Sequence, residues 1–183
     1  MMTLSGVRNS CEMLETKADF KRVELRAEVS AELGQILTDK HKFQQALSNL
    51  IGNAVKFTTA GSITISAAPL DSERWCLEVR DTGIGIASDA LTYIFDEFRQ
   101  VDDRLARTYG GTGLGLAITR KIVELLEGEI SVESEPQEGS RFRIVWPRTV
   151  RQRTGTGSLA EKSVPMPGEN AGFKRPLKLM NGG

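Results

Sequence analysis

The sequence predicts an α/β two-layer sandwich, a mixed β-sheet with helices packed on one face. Apolar residues alternate with period two in five short segments. They recur at three- and four-residue steps in three others. The two kinds do not alternate strictly enough for a doubly wound parallel sheet. The 183 residues suffice for one domain with a real core, but not for two ordinary domains.

Taken in order, Leu4, Val7, Cys11, Leu14 and Ala18 form the apolar stripe of a short amphipathic helix, with Cys11 as a buried structural thiol. Val23, Leu25, Ala27 and Val29 alternate with Arg22, Glu24, Arg26 and Glu28, a strand with one wet face. Gln35-Ile36-Leu37 is a short extended segment, and Thr38 or Asp39 can cap the helix after it. That helix, the longest, is expected from Lys40 to Phe57. Its apolar face is Phe43, Ala46, Leu47, Leu50, Ala54 and Phe57, and Thr59-Ala60-Gly61 breaks it. Ile63, Ile65 and Ala67, then Trp75, Leu77 and Val79, mark neighbouring strands around a polar turn at Asp71-Ser72-Glu73. A helix is expected from Gly113 to Glu127, with Leu114, Ala117, Ile118, Ile122 and Leu125 inward. Two strands close the domain, one on Ile130, Val132 and Ser134, the other on Phe142, Ile144 and Trp146 before Pro147.

Composition narrows the function. Basic and acidic residues balance at 24 each. No apolar run approaches the ~20 residues of a membrane span, and the start shows no signal-peptide pattern. Two cysteines and one histidine cannot build a disulfide scaffold, a zinc cluster or a histidine-rich metal site. A reducing, cytoplasmic setting is expected. From Thr149 onward six basic residues face two acidic ones, a net of +4, so residues 1–148 carry −4. This stretch (149–183) holds three of six prolines and six of 18 glycines, and no apolar period. It reads as a basic, disordered tail following a domain at 1–148. It lacks the aromatic interleaving of a single-strand-binding surface, which argues against nucleic acid.

Three segments carry chemistry. Asn49, Asn53 and Lys56 lie at steps of four and three on one helix and share a side of it. Amide oxygens can enter the oxygen-only shell of magnesium, and a lysine can meet a phosphate. A helix surface or an internal hydrogen-bond network explains the same spacing. Asp81-Thr82-Gly83-Ile84-Gly85-Ile86 follows a strand. Its carboxylate can accept from an exocyclic amine, and its glycines permit close backbone approach; an ordinary glycine turn is the alternative. Gly110-Gly111-Thr112-Gly113-Leu114-Gly115-Leu116 runs into a helix start, where free N–H groups bind phosphates. It lacks the Gly-Lys-Ser/Thr ending of a P-loop. No serine, cysteine or histidine arrangement for nucleophilic catalysis is present.

Together these segments resemble the ATP-binding catalytic domain of sensor histidine kinases, in the superfamily shared with DNA gyrase B, Hsp90 and MutL. Residues 39–58 resemble the family's N box and residues 81–86 its first glycine box. Phe95-Asp96-Glu97-Phe98-Arg99-Gln100 resembles the F box, residues 110–116 the second glycine box, and Gly139-Ser140-Arg141-Phe142 the closing strand. The likeness spans roughly residues 5–148, with five boxes in order. Lys56-Phe57-Thr58 and the F box favour the sensor kinases over the other branches.

The resemblance implies a Bergerat-type ATPase fold that binds ATP and Mg2+. Asn53 would be the main magnesium ligand, with Asn49 supporting it, and Lys56 would contact phosphate. Asp81 would bind the adenine amino group, Gly83 and Gly85 would shape the pocket, and Ser140 would serve the same end. Residues 99–109 would form a lid. Gly111, Thr112, Gly113, Leu114 and Gly115 would supply its hinge and phosphate-facing amides. Position 42 is lysine where the family often has arginine. His41, the sole histidine, sits at an exposed position of the N-box helix and is not expected to be the phosphoacceptor. The implied activity is transfer of the γ-phosphoryl group to a histidine hairpin on another chain or a missing upstream region, with a response regulator as an indirect partner. A stand-alone ATP-binding regulatory module and an anti-sigma-type serine kinase are the alternatives.

Overall fold

The computed structural model describes residues 22–99 and 113–149. All of them belong to the unit Met1–Arg151. The expected helix over residues 4–18 with Cys11, the lid beyond Arg99, Gly111, Thr112 and the tail after Thr149 lie outside the described residues.

Five strands form one mixed sheet: β1 (Arg22–Val29), β2 (Ala60–Pro69), β3 (Arg74–Asp81), β4 (Glu129–Glu135) and β5 (Gly139–Pro147). Their order across the sheet is β1-β2-β3-β5-β4, with β1 and β2 parallel and every other pair antiparallel. Two helices complete the layer, α1 (Lys40–Phe57) and α2 (Gly115–Leu125). Single 3-10 turns lie at Ala31–Leu33 and Ala90–Thr92. Ile36 and Leu37 are bridge residues rather than a strand, and Leu37 pairs with Thr149.

Asp39 starts α1. Its Oδ1 accepts the N–H groups of His41 and Lys42 at 3.0 and 3.1 Å, which satisfies two orphan donors of the first turn. Its Oδ2 pairs with the Lys42 ammonium at 2.7 Å. The lysine at position 42 thus completes the cap. At the other end Thr58 turns extended while its N–H still reaches the Ala54 carbonyl.

Period-two alternation sends one row of each strand to the helices. Ile63, Ile65, Ala67, Trp75, Leu77, Val79, Phe142, Ile144 and Trp146 are all buried there, against Phe43, Ala46, Leu47, Leu50, Ile51 and Ala54 of α1. Phe43, Trp75 and Trp146 pack with ring centroids 5.2–5.8 Å apart. Each such side chain contributes about 1.5–3 kcal/mol by burial. The opposite face of the sheet carries charge. Arg141 pairs with Glu78 at 2.8 Å, and the Arg143 Nε donates to Cys76 Sγ at 3.2 Å.

Helix α2 departs from the expectation at both ends. Gly113 has φ +71, incompatible with a right-handed helix, so the helix begins at Gly115. Glu127 has φ +58, and the helix stops at Leu125. Leu125 is 62% exposed, not inward. The buried side of α2 is centred on Thr119, Ile122, Val123 and Leu126, and a 100° step per residue turns Leu125 away from it.

Candidate functional site

The alternation that buries Trp75, Leu77 and Val79 also buries the last residue of β3, Asp81, at 5% exposure. Its Oδ1 accepts the Gly83 N–H at 2.8 Å. Burial pushes the carboxyl above the ordinary aspartate range. The N–H groups of Gly83 and Ser140 and the Thr58 side chain act against that shift. The result is a desolvated acceptor at a strand end, steadied mainly by backbone.

Glycines make the surrounding wall. A Cβ on Gly83 would lie 2.5 Å from the Phe57 carbonyl oxygen and 2.9 Å from Asp81 Oδ1. At Gly85, with φ +67, it would lie 1.9 Å from the Glu135 carbonyl oxygen. The loop is tied to its neighbours by Ile84 N–H to Phe57 O (3.2 Å) and Gln137 N–H to Ile84 O (2.8 Å). Ser140 lies opposite Asp81 in the β3–β5 register. Its hydroxyl is 3.0 Å from that of Ser134, which donates to Gly139 O (2.7 Å) and accepts from Ile86 N–H (2.8 Å).

Helix α1 connects this end to α2. Asn49 Nδ2 donates to Gly115 O at 3.1 Å and contacts Thr119 Oγ1 at 3.3 Å. Its amide nitrogen therefore belongs to an internal network, while its carbonyl oxygen accepts from no other described residue. Asn53, one turn later and half-buried, makes no side-chain hydrogen bond to another described residue. Burial lowers the proton affinity of the half-buried Lys56 ammonium, which sits 4.7 Å from the Phe57 ring centroid. Leu114 precedes α2 and supplies no side-chain cap. The N–H groups of Gly115 and the next residues thus start a helix whose dipole favours an anion.

The structure brings Asp81, Gly83, Gly85 and Ser140 together at one end. It ties Asn49 to Gly115 at the other, with Asn53 and Lys56 between them on α1. Gly113 sits against the backbone of Phe98 and Arg99. In the F box, Phe95 packs edge-on to Phe142 at 6.5 Å, Glu97 pairs with Lys121, and Phe98 is 73% exposed. Gly139 is read from the sequence as part of the closing-strand motif but without a site role; a Cβ there would lie 2.0 Å from the Asp81 carbonyl oxygen at φ +95. Thr58 and the Ser134 hydroxyl likewise carry no role in the sequence reading.

Residues 38–150 match the family described as histidine kinase-, DNA gyrase B-, and HSP90-like ATPase. The chain belongs to this ATPase family. It is 41% identical over 139 residues to an uncharacterized sensor-like histidine kinase of Rhizobium meliloti, covering 75% of this chain and 26% of that protein. It is 47% identical over 118 residues to the autoinducer 2 sensor kinase/phosphatase LuxQ of Vibrio vulnificus, covering 62% and 14%. Among solved structures, full-length ShkA in complex with AMPPNP superimposes with TM-score 0.70 at 36% identity, over 79% of this chain and 29% of that one. The nucleotide-free catalytic domain of the histidine kinase ThkA gives TM-score 0.67 at 26% identity, over 81% and 94%. The chain spans about a quarter or less of the curated relatives it matches. It corresponds to the histidine kinase catalytic domain with the α/β ATPase fold, as the sequence predicted.

Proposed function

We propose that the chain binds ATP with Mg2+ and passes the γ-phosphoryl group to a histidine on a hairpin outside this chain, acting as the catalytic domain of a two-component sensor kinase. Asp81 accepts from the adenine amino group, in a pocket shaped by Gly83, Gly85 and Ser140. Asn53 is the main magnesium ligand, Asn49 supports it through its carbonyl oxygen, and Lys56 meets phosphate. Gly111, Thr112, Gly113, Leu114 and Gly115 present amides to the phosphates. Bound by Asn53 and Asn49, magnesium would supply charge neutralisation for the transferring group.

The observation that carries this reading is the Asp81 floor: a buried carboxylate, one oxygen committed to Gly83 N–H, beneath glycines that no side chain could replace. The donor set fits the metal as well. The amide oxygens of Asn53 and Asn49 are hard donors of the kind magnesium takes, and the nucleotide's own phosphates would complete its shell. Asn49 and Phe57 are separated by about 12 Å of helix rise, a span an extended nucleoside triphosphate can bridge. Likeness to ShkA, whose structure holds AMPPNP, supports the nucleotide. Coverage of nearly the whole ThkA catalytic domain supports a module that works on a separate phosphoacceptor. A response regulator would receive the phosphoryl group afterwards. Among the described residues no helix is long and apolar enough to cross a membrane, and we place the domain in the cytoplasm, where ATP is supplied.

The test is transfer from γ-labelled ATP to the separately purified histidine hairpin of a sensor kinase relative. Acid-labile label on the hairpin, dependent on Mg2+ and absent with Asn53→Ala, is the expected result. Tight ATP binding with no transfer to any hairpin tried would replace this reading with the regulatory module.

A further inference from the structure

Asp81, Ser140 and Ser134 form one row across the inner face of the sheet. Ser140 stands opposite Asp81 in the β3–β5 register and opposite Ser134 in the β4–β5 register. Two residues further along the same strands, Val79 and Phe142 are buried and Val132 packs against the core. The row is thus the polar end of an apolar face, with Asp81 and Ser140 themselves buried. Three contacts meet on Ser134 Oγ: Ile86 N–H at 2.8 Å, Gly139 O at 2.7 Å and Ser140 Oγ at 3.0 Å. A serine hydroxyl has one proton and two lone pairs. The Ile86 nitrogen can only donate, so it takes one lone pair. The Gly139 oxygen can only accept, so it takes the proton. One lone pair is left for Ser140, and Ser140 must therefore be the donor of that contact. β5 lies between β3 and β4, so the Ser140 proton is drawn toward β4 and away from Asp81.

We propose that Ser134 is a positioning residue that fixes the direction of the Ser140 hydroxyl proton, so that the base end of the site presents acceptors alone from two adjacent strands. This rests on the nucleotide reading above. With its proton committed to Ser134, Ser140 offers only lone pairs to any other group, and the Asp81 carboxylate beside it does the same. A 6-amino group carries two N–H donors and can serve both strands, directly or through a water. A 6-oxo group would bring a third acceptor to that pair. Were Ser140 free to turn, its hydroxyl could donate to the oxo oxygen, and discrimination between the two bases would weaken. Ser134 acts through Ser140 in this respect. The same oxygen also anchors the end of the glycine loop through Ile86 N–H, a structural role that would affect every base alike.

Ser134→Ala removes the acceptor, Ser134→Thr keeps the hydroxyl on a side chain that suits a strand, and Ser140→Ala removes the donor while leaving the Ile86 and Gly139 bonds in place. Two quantities are read. One is exchange of the serine hydroxyl protons without nucleotide, from the deuterium isotope shift on each Cβ carbon by NMR. The other is the ratio of inosine triphosphate to ATP dissociation constants by calorimetry. The Ser140 hydroxyl should exchange slowly in the wild type and in Ser134→Thr, and fast in Ser134→Ala. The ratio should fall about tenfold in Ser134→Ala and hold its wild-type value in Ser134→Thr. In a Ser140→Ala background, adding Ser134→Ala should not change the ratio further. Should Ser134→Ala not fold, Ser140→Ala alone must lower the ratio. Equal weakening of both nucleotides in Ser134→Ala, an unchanged ratio in Ser140→Ala, or a fast-exchanging Ser140 hydroxyl in the wild type would overturn the assignment and leave Ser134 as a loop anchor. Failure of the wild-type chain to bind ATP would overturn the nucleotide reading and the base-selecting role with it, whereas the exchange measurement would still decide the direction of the proton.

Discussion

The two glycine segments of this domain are built differently. Around Asp81, a Cβ on Gly83, Gly85 or Gly139 would fall 1.9–2.5 Å from a backbone oxygen of another element. The loop there is tied to β2 through Thr82, to the last turn of α1 through Ile84 N–H, to Gln137 through Ile84 O and to β4 through Ile86 N–H. At the start of α2, a Cβ on Gly115 would meet nothing within 4 Å, Leu114 supplies no cap, and Asn53 on the facing helix holds no described partner. The Asp81 end is thus finished by the protein, and the α2 end is more open. On the proposed reading, a preorganised Asp81 pocket would fix the base, while the open end would stay adjustable for the phosphates and a metal.

The sharpest way to break the contrast is a single methyl group. Gly85→Ala forces a side chain onto a φ of +67 and into the Glu135 carbonyl. We expect a loss of about 3 kcal/mol or more in urea unfolding. Gly115→Ala should stay within about 0.5 kcal/mol of wild type. Equal effects at the two positions would erase the distinction.

Next in size is Asp81→Asn, which should weaken ATP roughly 30-fold or more by calorimetry, since a hydrogen bond to a charged group is removed. Stability should hold or rise. The Asp81 carboxyl is raised above its ordinary value of 3.8 by burial. The folded state therefore binds that proton more tightly than the unfolded one, and the ionised form costs stability at every pH above the raised value. The asparagine variant escapes that cost. By the same sign, wild-type ATP affinity should fall as pH drops through the raised value, sooner than an ordinary aspartate would require. A variant that lost stability and kept its affinity would contradict both points.

The two asparagines separate structure from metal. Asn49→Ala gives up its bonds to Gly115 and Thr119 and should cost about 1 kcal/mol of stability. Asn53→Ala should leave unfolding unchanged and weaken ATP about tenfold in Mg2+ but not in EDTA. A small gain rather than a loss is expected at Gly52, inside α1 and open to solvent. Gly52→Ala should gain about 0.5–1 kcal/mol from helix propensity alone, read in the same urea titration.

Much of this architecture was written in local signals. α1 was legible to both boundary residues because an aspartate cap precedes it and a strand with its own period comes after it. The inner strand rows were legible because period two admits no other register. What escaped depends on neighbours distant in sequence. Gly113 adopts φ +71 beside Phe98 and Arg99, so the helical pattern through Leu114 overstated α2. Leu125 is apolar yet lies off the side that its partners bury. Asp81, Asn53 and Lys56 could be named from their motifs, but the depth of Asp81 arises only once β3, β5 and α1 meet.

The most direct test of the two-ended site is a backbone and side-chain amide NMR titration with MgATP. The account predicts that Gly83, Gly85 and Ser140 N–H shift with adenosine alone, whereas the Asn53 side-chain amide and Gly115 N–H shift only when the triphosphate and Mg2+ are added. Shifts confined to the charged outer face of the sheet, around Arg141 and Arg143, would contradict it.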